Sequence, residues 1–312
     1  MTINNSQTEA PNRAVYSLLS SLFNSLEDTV TDFIINPNGT AFKYHSSGEV
    51  QQVSPSPLKA GEIKTLAPLL AGLNRENISE NSPSVSSKVY ISSRAARLEI
   101  LLPPAVSSPS LSVRFYVFSD INLLKLSQTG MFTTDTMYKL QDYVKDKKNI
   151  IISGSTGSGK TTLLSALVNE IPQTERVIII EDLPEVDCTL PNHTRIIATM
   201  SGAFNGSEAI IRTLRMRPDR IIYGEVRNES AFDLLDAWNT GHSGGLGTVH
   251  ASSTIEALDR LSKLASRKSQ NISYDTCRDI TASAVDIVIQ LGIKNSKRQI
   301  IDIYENKHEG KI

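Results

Sequence analysis

Residues 149–162 read NIIISGSTGSGKTT, and their order decides the class of fold. Three consecutive isoleucines make a short apolar run of the kind a buried strand needs. Gly154-Ser155-Thr156-Gly157-Ser158-Gly159-Lys160-Thr161 follows with the spacing of a phosphate loop. Beyond it, Leu163, Leu164, Leu167 and Ile171 recur on one side of a helix. In such a strand–loop–helix the glycines let backbone N–H groups turn onto phosphates, and the helix N-terminus adds its positive end. Lys160 is expected to reach the β- and γ-phosphates of ATP. The Thr161 hydroxyl is expected to hold Mg²⁺, with Thr162 beside it in the nucleotide-binding set.

Working outward, the chain after Thr133 alternates helix with short Ile- and Val-rich runs. Strands are expected over 149–153, 176–181, 219–224 and 246–251, forming a parallel sheet covered on both faces. A hairpin over 285–291 and 299–304 closes the chain. A helix over 229–240 places Trp238, the single tryptophan, on its buried side. Ser253 and Glu256 form a capping box for a helix that lines Ile255, Leu258, Leu261 and Leu264 along one face.

A phosphate-loop enzyme also needs a carboxylate at a strand end, acting through the metal or the attacking water. Two strands supply one: Glu181-Asp182 and Glu225. Neighbouring parallel strands end on the same side of a sheet, so both can face the γ-phosphate. Glu225 is expected at the nucleophilic water and metal shell. Glu181 is a second candidate for activating that water, and Asp182 a further partner at the nucleotide. Glu185 and Asp187 read as solvated loop carboxylates. Arg227 fits either a salt bridge or a phosphate contact. His250 ends a strand leading out of Gly241-His242-Ser243-Gly244-Gly245, where a histidine by itself reads as a core or cap residue. Neither His242 nor His250 has a third ligand at metal-site spacing.

The chain before the sheet has mixed α+β character. An amphipathic helix is expected over 13–26. Two strands around residues 32–35 and 40–44 are joined by Asn36-Pro37-Asn38-Gly39. A helix over 61–73 and a Ser-, Asn- and Pro-rich loop over 74–88 come next, then strands around 97–102 and 111–115. The domains are therefore expected as a disordered 1–12, an α+β domain over 13–118, a linker over 119–132 and the α/β domain over 133–312.

The succession of phosphate loop, acidic box at Glu181-Asp182, Gly224-Glu225-Val226-Arg227, and Gly241-His242 running to Thr248-Val249-His250 resembles the traffic ATPases of secretion systems. The likeness is strongest to the conjugal-transfer (TrbB-type) ATPases of type IV secretion. It spans residues 28–305 and is specific over 149–162, 176–186 and 212–253. It implies a RecA-like ATPase domain behind a smaller α+β domain, assembled as a hexameric ring with nucleotide between the two domains. Hydrolysis would move the smaller domains and power pilus biogenesis or substrate transfer, with inner-membrane channel and coupling proteins as partners. The resemblance assigns His250 to γ-phosphate sensing. It also makes Arg97 and Arg114, in RLEILLPP and SVR, nucleotide contacts lent by the first domain. Three positions depart from the family: Asn228 replaces a glycine, Ser243 a proline, and Phe115 a lysine.

Bulk composition agrees with two soluble domains: 312 residues, 39% hydrophobic. The net charge of −1 supplies no overall basic field for nucleic acid, so direct nucleic-acid binding is not expected. Cys188 and Cys277 are expected as reduced thiols without metal-ligand spacing. No apolar run approaches the ~18–20 residues of a membrane span, and the polar start MTINNSQTEAPNR is unlike a signal peptide. A cytoplasmic protein is expected, with any membrane association peripheral. Rival readings are a pilus or type II secretion motor, a nucleotide-gated binding module with incidental turnover, and a nucleic-acid translocase.

Overall fold

The computed structural model describes residues 10–27, 29–45, 49–73, 77–91, 94–116, 121–182, 184–198, 204–269, 271–294 and 297–306. The chain divides into two compact units, residues 1–119 and 120–312. Residues 1–9 of the expected disordered start, and 119–120 of the expected linker, lie outside the described residues.

In the first unit α1 (Ala10–Ser25) is followed by β1 (Val30–Ile35), β2 (Ala41–His45), β3 (Val50–Val53), α2 (Ala60–Leu73), β4 (Ser84–Ile91), β5 (Arg94–Leu101) and β6 (Ser110–Tyr116). The helix α1 starts at Ala10, earlier than the sequence pattern placed it. The strands form one antiparallel sheet in the order β3-β2-β1-β6-β5-β4. Strand alternation decides its faces. Ala96, Leu98 and Ile100 of β5 and Leu111, Val113 and Phe115 of β6 are buried in one core with Leu19, Leu22 and Phe23 of α1 and Leu66 and Leu70 of α2. The intervening Arg97 and Arg114 point the other way. The stretch 74–88, read as a loop, gives its last residues to β4. There Val85, Val89 and Ile91 keep a two-residue period behind a serine-rich composition, and Ser87 is buried with them.

The second unit runs α3 (Leu123–Gln128), α4 (Thr134–Lys145), β7 (Ile150–Gly154), α5 (Lys160–Val168), β8 (Val177–Glu181), β9 (His193–Ile197), α6 (Gly206–Thr213), β10 (Arg220–Tyr223), α7 (Ser230–Asn239), β11 (Leu246–Val249), α8 (Thr254–Ala265), α9 (Tyr274–Ala284), β12 (Ile287–Lys294) and β13 (Lys297–Glu305). The sheet order is β13-β12-β7-β11-β10-β8-β9, parallel from β12 through β9, with β13 antiparallel at the edge. Its isoleucine runs are explained by two-sided burial. Ile150 and Ile152 enter a core with α3, α4 and α5, while Ile151 enters the opposite core with α6 to α9. Each such side chain stabilises by roughly 1.5–3 kcal/mol on burial.

Part of the expected linker is core: Leu123, Leu126, Met131 and Phe132 are buried against α4 and α5. The amphipathic face of α8 also differs from expectation. Ile255 is 60% exposed, and Ala257, Leu261, Leu264 and Ala265 form the buried side. At its cap, the Ser253 hydroxyl accepts from the Glu256 N–H as expected. The Glu256 carboxylate, however, accepts from the backbone N–H of Ser252 rather than of Ser253.

The glycines of the 241–247 turn have a packing purpose. A Cβ on Gly245 would lie 2.0 Å from Trp238 Nε1, and one on Gly244 would lie 2.3 Å from an Arg220 nitrogen. Arg220 is fully buried, donating from Nε to Glu175 at 2.7 Å and from Nη1 to the Gly244 carbonyl at 3.3 Å.

Candidate active site

Because β7, β11, β10 and β8 are parallel neighbours, their carboxyl ends share one edge of the sheet, where ligands of open α/β sheets bind. Gly154, Glu225, His250 and Glu181 all emerge there.

From β7 the chain turns at Gly154 (φ +154°). A Cβ there would meet Ser158 Oγ at 2.6 Å and the Leu291 carbonyl at 2.8 Å. The loop returns to helix at Gly159, whose φ of 98° is left-handed backbone that glycine adopts without steric cost. Between them Ser155, Thr156 and Gly157 are exposed. The Ser158 hydroxyl is buried without a hydrogen-bond partner among the described residues. Lys160 opens α5 and is 7% exposed. Its ammonium donates to the carbonyls of Gly154 at 2.9 Å and Ser155 at 3.0 Å, and lies 3.2 Å from His250 Nδ1. Thr161 and Thr162 follow on the first turn, both half-buried.

From Lys160 a line of charged groups runs along the sheet edge. His250 Nε2 stands 3.0 Å from Glu225 Oε1. The other Glu225 oxygen accepts from Arg227 at 2.7 Å, and Arg227 donates its second nitrogen to Asp182 at 2.6 Å. Glu225 and Arg227 follow β10, Asp182 follows β8 and His250 follows β11, so the tertiary fold joins residues up to 90 positions apart.

The protonation states follow from this geometry. Burial acts to raise the Glu225 carboxyl, but the Arg227 hydrogen bond and charge, with His250 and Lys160, outweigh it and hold Glu225 below the ordinary range. Burial, reinforced by the positive charge of Lys160, Arg227 and Arg260, lowers His250 despite the pull of Glu225. A neutral imidazole then donates from Nε2–H to Glu225 and accepts from Lys160 at Nδ1. Burial also lowers the Lys160 ammonium, against the opposing charge of Glu225. The hydrogen bond to Glu225 keeps Arg227 protonated beyond the usual guanidinium range. Tyr223, at the end of β10, is raised by burial and hydrogen-bonds Ser230 at 2.8 Å.

Glu181, the second candidate for activating the water, has both oxygens engaged within the protein. It is 4% exposed. One oxygen accepts from the backbone N–H groups of Glu185 at 2.8 Å and Val186 at 3.0 Å. The other lies 3.1 Å from Arg195 Nε, and Arg195 also donates to the Val186 carbonyl at 2.6 Å. A carboxylate so engaged tethers Glu185 and Val186, close in sequence to Asp182. Sequence reasoning missed Arg195, a strand residue on β9 with no local motif around it. It also missed that Asn228 accepts from the Ser230 N–H at 3.2 Å and the Ser230 hydroxyl at 2.6 Å, so that it fixes the entry to α7 where the resembling family has glycine.

His242 lies at the opposite, amino end of β11, near the Ala237 carbonyl at 3.3 Å, and belongs to the turn rather than to this site. In the first unit, Arg97 and Arg114 are cross-strand partners, and Arg114 is also opposite Asp32, to which its Nε donates at 2.8 Å. Like charges directly opposite are unfavourable unless something answers them. Asp32 answers Arg114, and Glu99, two residues along β5 from Arg97, lies on the same sheet face away from the core.

The residues present suit a magnesium nucleotide. The phosphate loop supplies backbone N–H groups and the buried Ser158 hydroxyl, and Thr161 and Glu225 offer the hard oxygen ligands that Mg²⁺ prefers. Among the described residues no cluster of three or more His, Cys, Asp or Glu forms a separate metal site. No helix of the described residues is long and apolar enough to cross a membrane.

The family described as type II/IV secretion system protein matches residues 25–302. A conjugal transfer protein TrbB of Rhizobium radiobacter is 33% identical, over 94% of this chain and 90% of its own length. The type IV secretion system protein VirB11 of Bartonella henselae is 31% identical, over 79% of this chain and 80% of its own. Among solved structures, the VirB11 ATPase of the Brucella suis type IV secretion system, crystallised with sulphate, is similar with a TM-score of 0.52 and 25% identity. That likeness covers 96% of this chain and 97% of the other.

Proposed function

This chain belongs to the type II/IV secretion system protein family, and on that premise we propose that it is a traffic ATPase of a type IV secretion (conjugation) apparatus. It works as a hexameric ring, and ATP hydrolysis powers pilus biogenesis or substrate transfer through membrane channel and coupling proteins. The observation that carries this reading is the unbroken line Lys160–His250–Glu225–Arg227–Asp182 along the carboxyl edge of the sheet. A phosphate-binding lysine and a carboxylate that can orient water are groups that phosphoryl transfer to water uses, since positioning and electrostatics carry most of that chemistry, and here a histidine joins the two.

In this mechanism Lys160 exchanges its carbonyl partners for β- and γ-phosphate oxygens. Glu225, held ionised by Arg227, orients the attacking water and accepts its proton. His250 bridges Lys160 and Glu225, so a change at the γ-phosphate is felt by both and passed along β11 into α8. Thr161 and Glu225 would hold Mg²⁺, which would supply positive charge against that developing on the phosphates. Arg227 fixes Glu225 and reaches Asp182. Glu181, with Arg195, positions the loop that carries Asp182.

Steady-state ATP hydrolysis across the size-exclusion peaks, beside Lys160→Ala and Glu225→Gln, tests the reading. Turnover confined to a ring-sized fraction and lost in both variants is the expected result. Binding of ATP with no turnover above the variants in any fraction would replace it with a nucleotide-gated binding module.

A further inference from the structure

His250 has a second side. Away from Glu225 it borders a cleft of 310 Å³ that continues along α8, lined also by Glu256, Asp259, Arg260, Lys263 and Arg267. At about 30 Å³ per water this space has room for a tetrahedral oxyanion and its remaining hydration shell. Residues 260 and 263 are neighbours on one face of α8, and Arg267 follows on the short 3-10 turn Ser266–Lys268 that continues it.

The charges in the cleft do not cancel locally. Asp259 is committed to Lys263 at 2.6 Å and to the Tyr274 hydroxyl at 2.6 Å. Glu256 is committed to the backbone N–H and hydroxyl of Ser252. Arg260 and Arg267 are exposed and make no ion pair or hydrogen bond with the described residues. Two unanswered guanidinium groups thus stand in a cleft whose inner end is the histidine touching both Lys160 and Glu225. The positive charge of Arg260 is close enough to contribute to the lowering of His250.

We propose that this cleft is a binding site for inorganic phosphate, the station at which the product of hydrolysis is held after it passes His250. The inference rests on the ATPase reading above. Planar guanidinium donors match phosphate oxygens in pairs, which an ammonium does not. A receding dianion therefore finds in Arg260 and Arg267 partners that no carboxylate of the cleft already occupies.

The test uses the full chain saturated with ADP, so that the phosphate loop is filled, and titrates inorganic phosphate by ³¹P line broadening. Wild type should show saturable binding. Arg260→Ala and Arg267→Ala should each weaken it about tenfold or more, as expected for loss of a charge-assisted hydrogen bond, while Arg260→Lys, which keeps the charge but not the paired donors, restores only part of it. Both side chains are exposed, so thermal unfolding should stay near that of wild type and exclude misfolding as the cause. Absence of saturable binding beside ADP, or binding indifferent to both alanine variants, overturns the proposal. So does unchanged phosphate binding in an Arg260→Glu variant whose oligomer dissociates, since the cleft would then be a contact between subunits. A wild type that hydrolyses ATP but shows no such site removes this inference alone, whereas a wild type without hydrolysis removes the ATPase reading.

Discussion

Replacing Glu181 by glutamine separates two roles that one motif leaves entangled. The carboxylate is 4% exposed; one oxygen accepts from two backbone N–H groups of the loop after β8, and the other lies 3.1 Å from Arg195 Nε. Glutamine keeps the shape and one acceptor oxygen but turns the other atom into a donor. If the oxygen stays on the loop, the new N–H₂ faces the Arg195 guanidinium, and the charge-assisted contact is lost. Hydrogen bonds to charged groups contribute about 1.5–3 kcal/mol, and breaking a buried ion pair by removing one partner costs about 3–5 kcal/mol. Arg195 is one-quarter exposed, which allows water to answer part of its charge. A loss of about 2–3 kcal/mol is therefore expected, equivalent to a fall of roughly 4–12 °C in melting temperature for a unit of this size. Differential scanning calorimetry and urea midpoints of Glu181→Gln, Arg195→Gln and the double variant measure it. The double variant should cost less than the sum of the singles, because each single already removes the shared contact. Turnover should fall with the loosened loop, in Arg195→Gln as in Glu181→Gln. A Glu181→Gln protein that melts like wild type yet loses all hydrolysis, beside an active Arg195→Gln, would refute this reasoning and restore Glu181 as a base.

Three further outcomes are expected. His250 titrates below its ordinary value of 6.5, so it is neutral in the working enzyme. The unfolded chain protonates it first as pH falls, and both stability and turnover should therefore decline on the acid side of neutrality; pH profiles of wild type and His250→Gln check this, the variant losing that limb. Gly245→Ala forces a Cβ to within 2.0 Å of Trp238 Nε1, and overpacking of this kind typically costs about 1–3 kcal/mol. As Trp238 is the single tryptophan, its emission should shift together with the urea midpoint. Arg227→Ala leaves Glu225 and Asp182 without their shared cation, each partly exposed. Stability should change by less than about 1 kcal/mol, while steady-state kinetics should show a loss in kcat of tenfold or more.

Much of the molecule was legible in short stretches of chain. The turn Asn36–Gly39 joins β1 and β2 as its residues require, and the hairpin of β12 and β13 closes the sheet where the Ile- and Val-rich runs placed it. The glycine loop stands between β7 and α5. Where reading failed, composition hid the pattern. Serines masked the period of β4, and the apolar residues of 123–132 were too few to look like part of a core. The exposed Ile255 shows the limit of helical periodicity: the buried face of α8 is chosen by the sheet it packs on, not by hydrophobicity alone.

The same division runs through the site. Phosphate-loop chemistry, a carboxylate after β10 and a histidine after β11 are properties of contiguous residues, because φ/ψ preference and strand alternation act over a few positions. The sequence by itself therefore determined the fold class and most of the reactive groups. It could not determine partners. Whether Glu181 faces a water or Arg195, whether Arg227 reaches Asp182, and whether His250 touches Lys160 depend on the order β7-β11-β10-β8-β9, which brings together residues 45 and 90 positions apart. That order is set by the simultaneous burial of both sheet faces, a property of the whole second unit that no local stretch encodes.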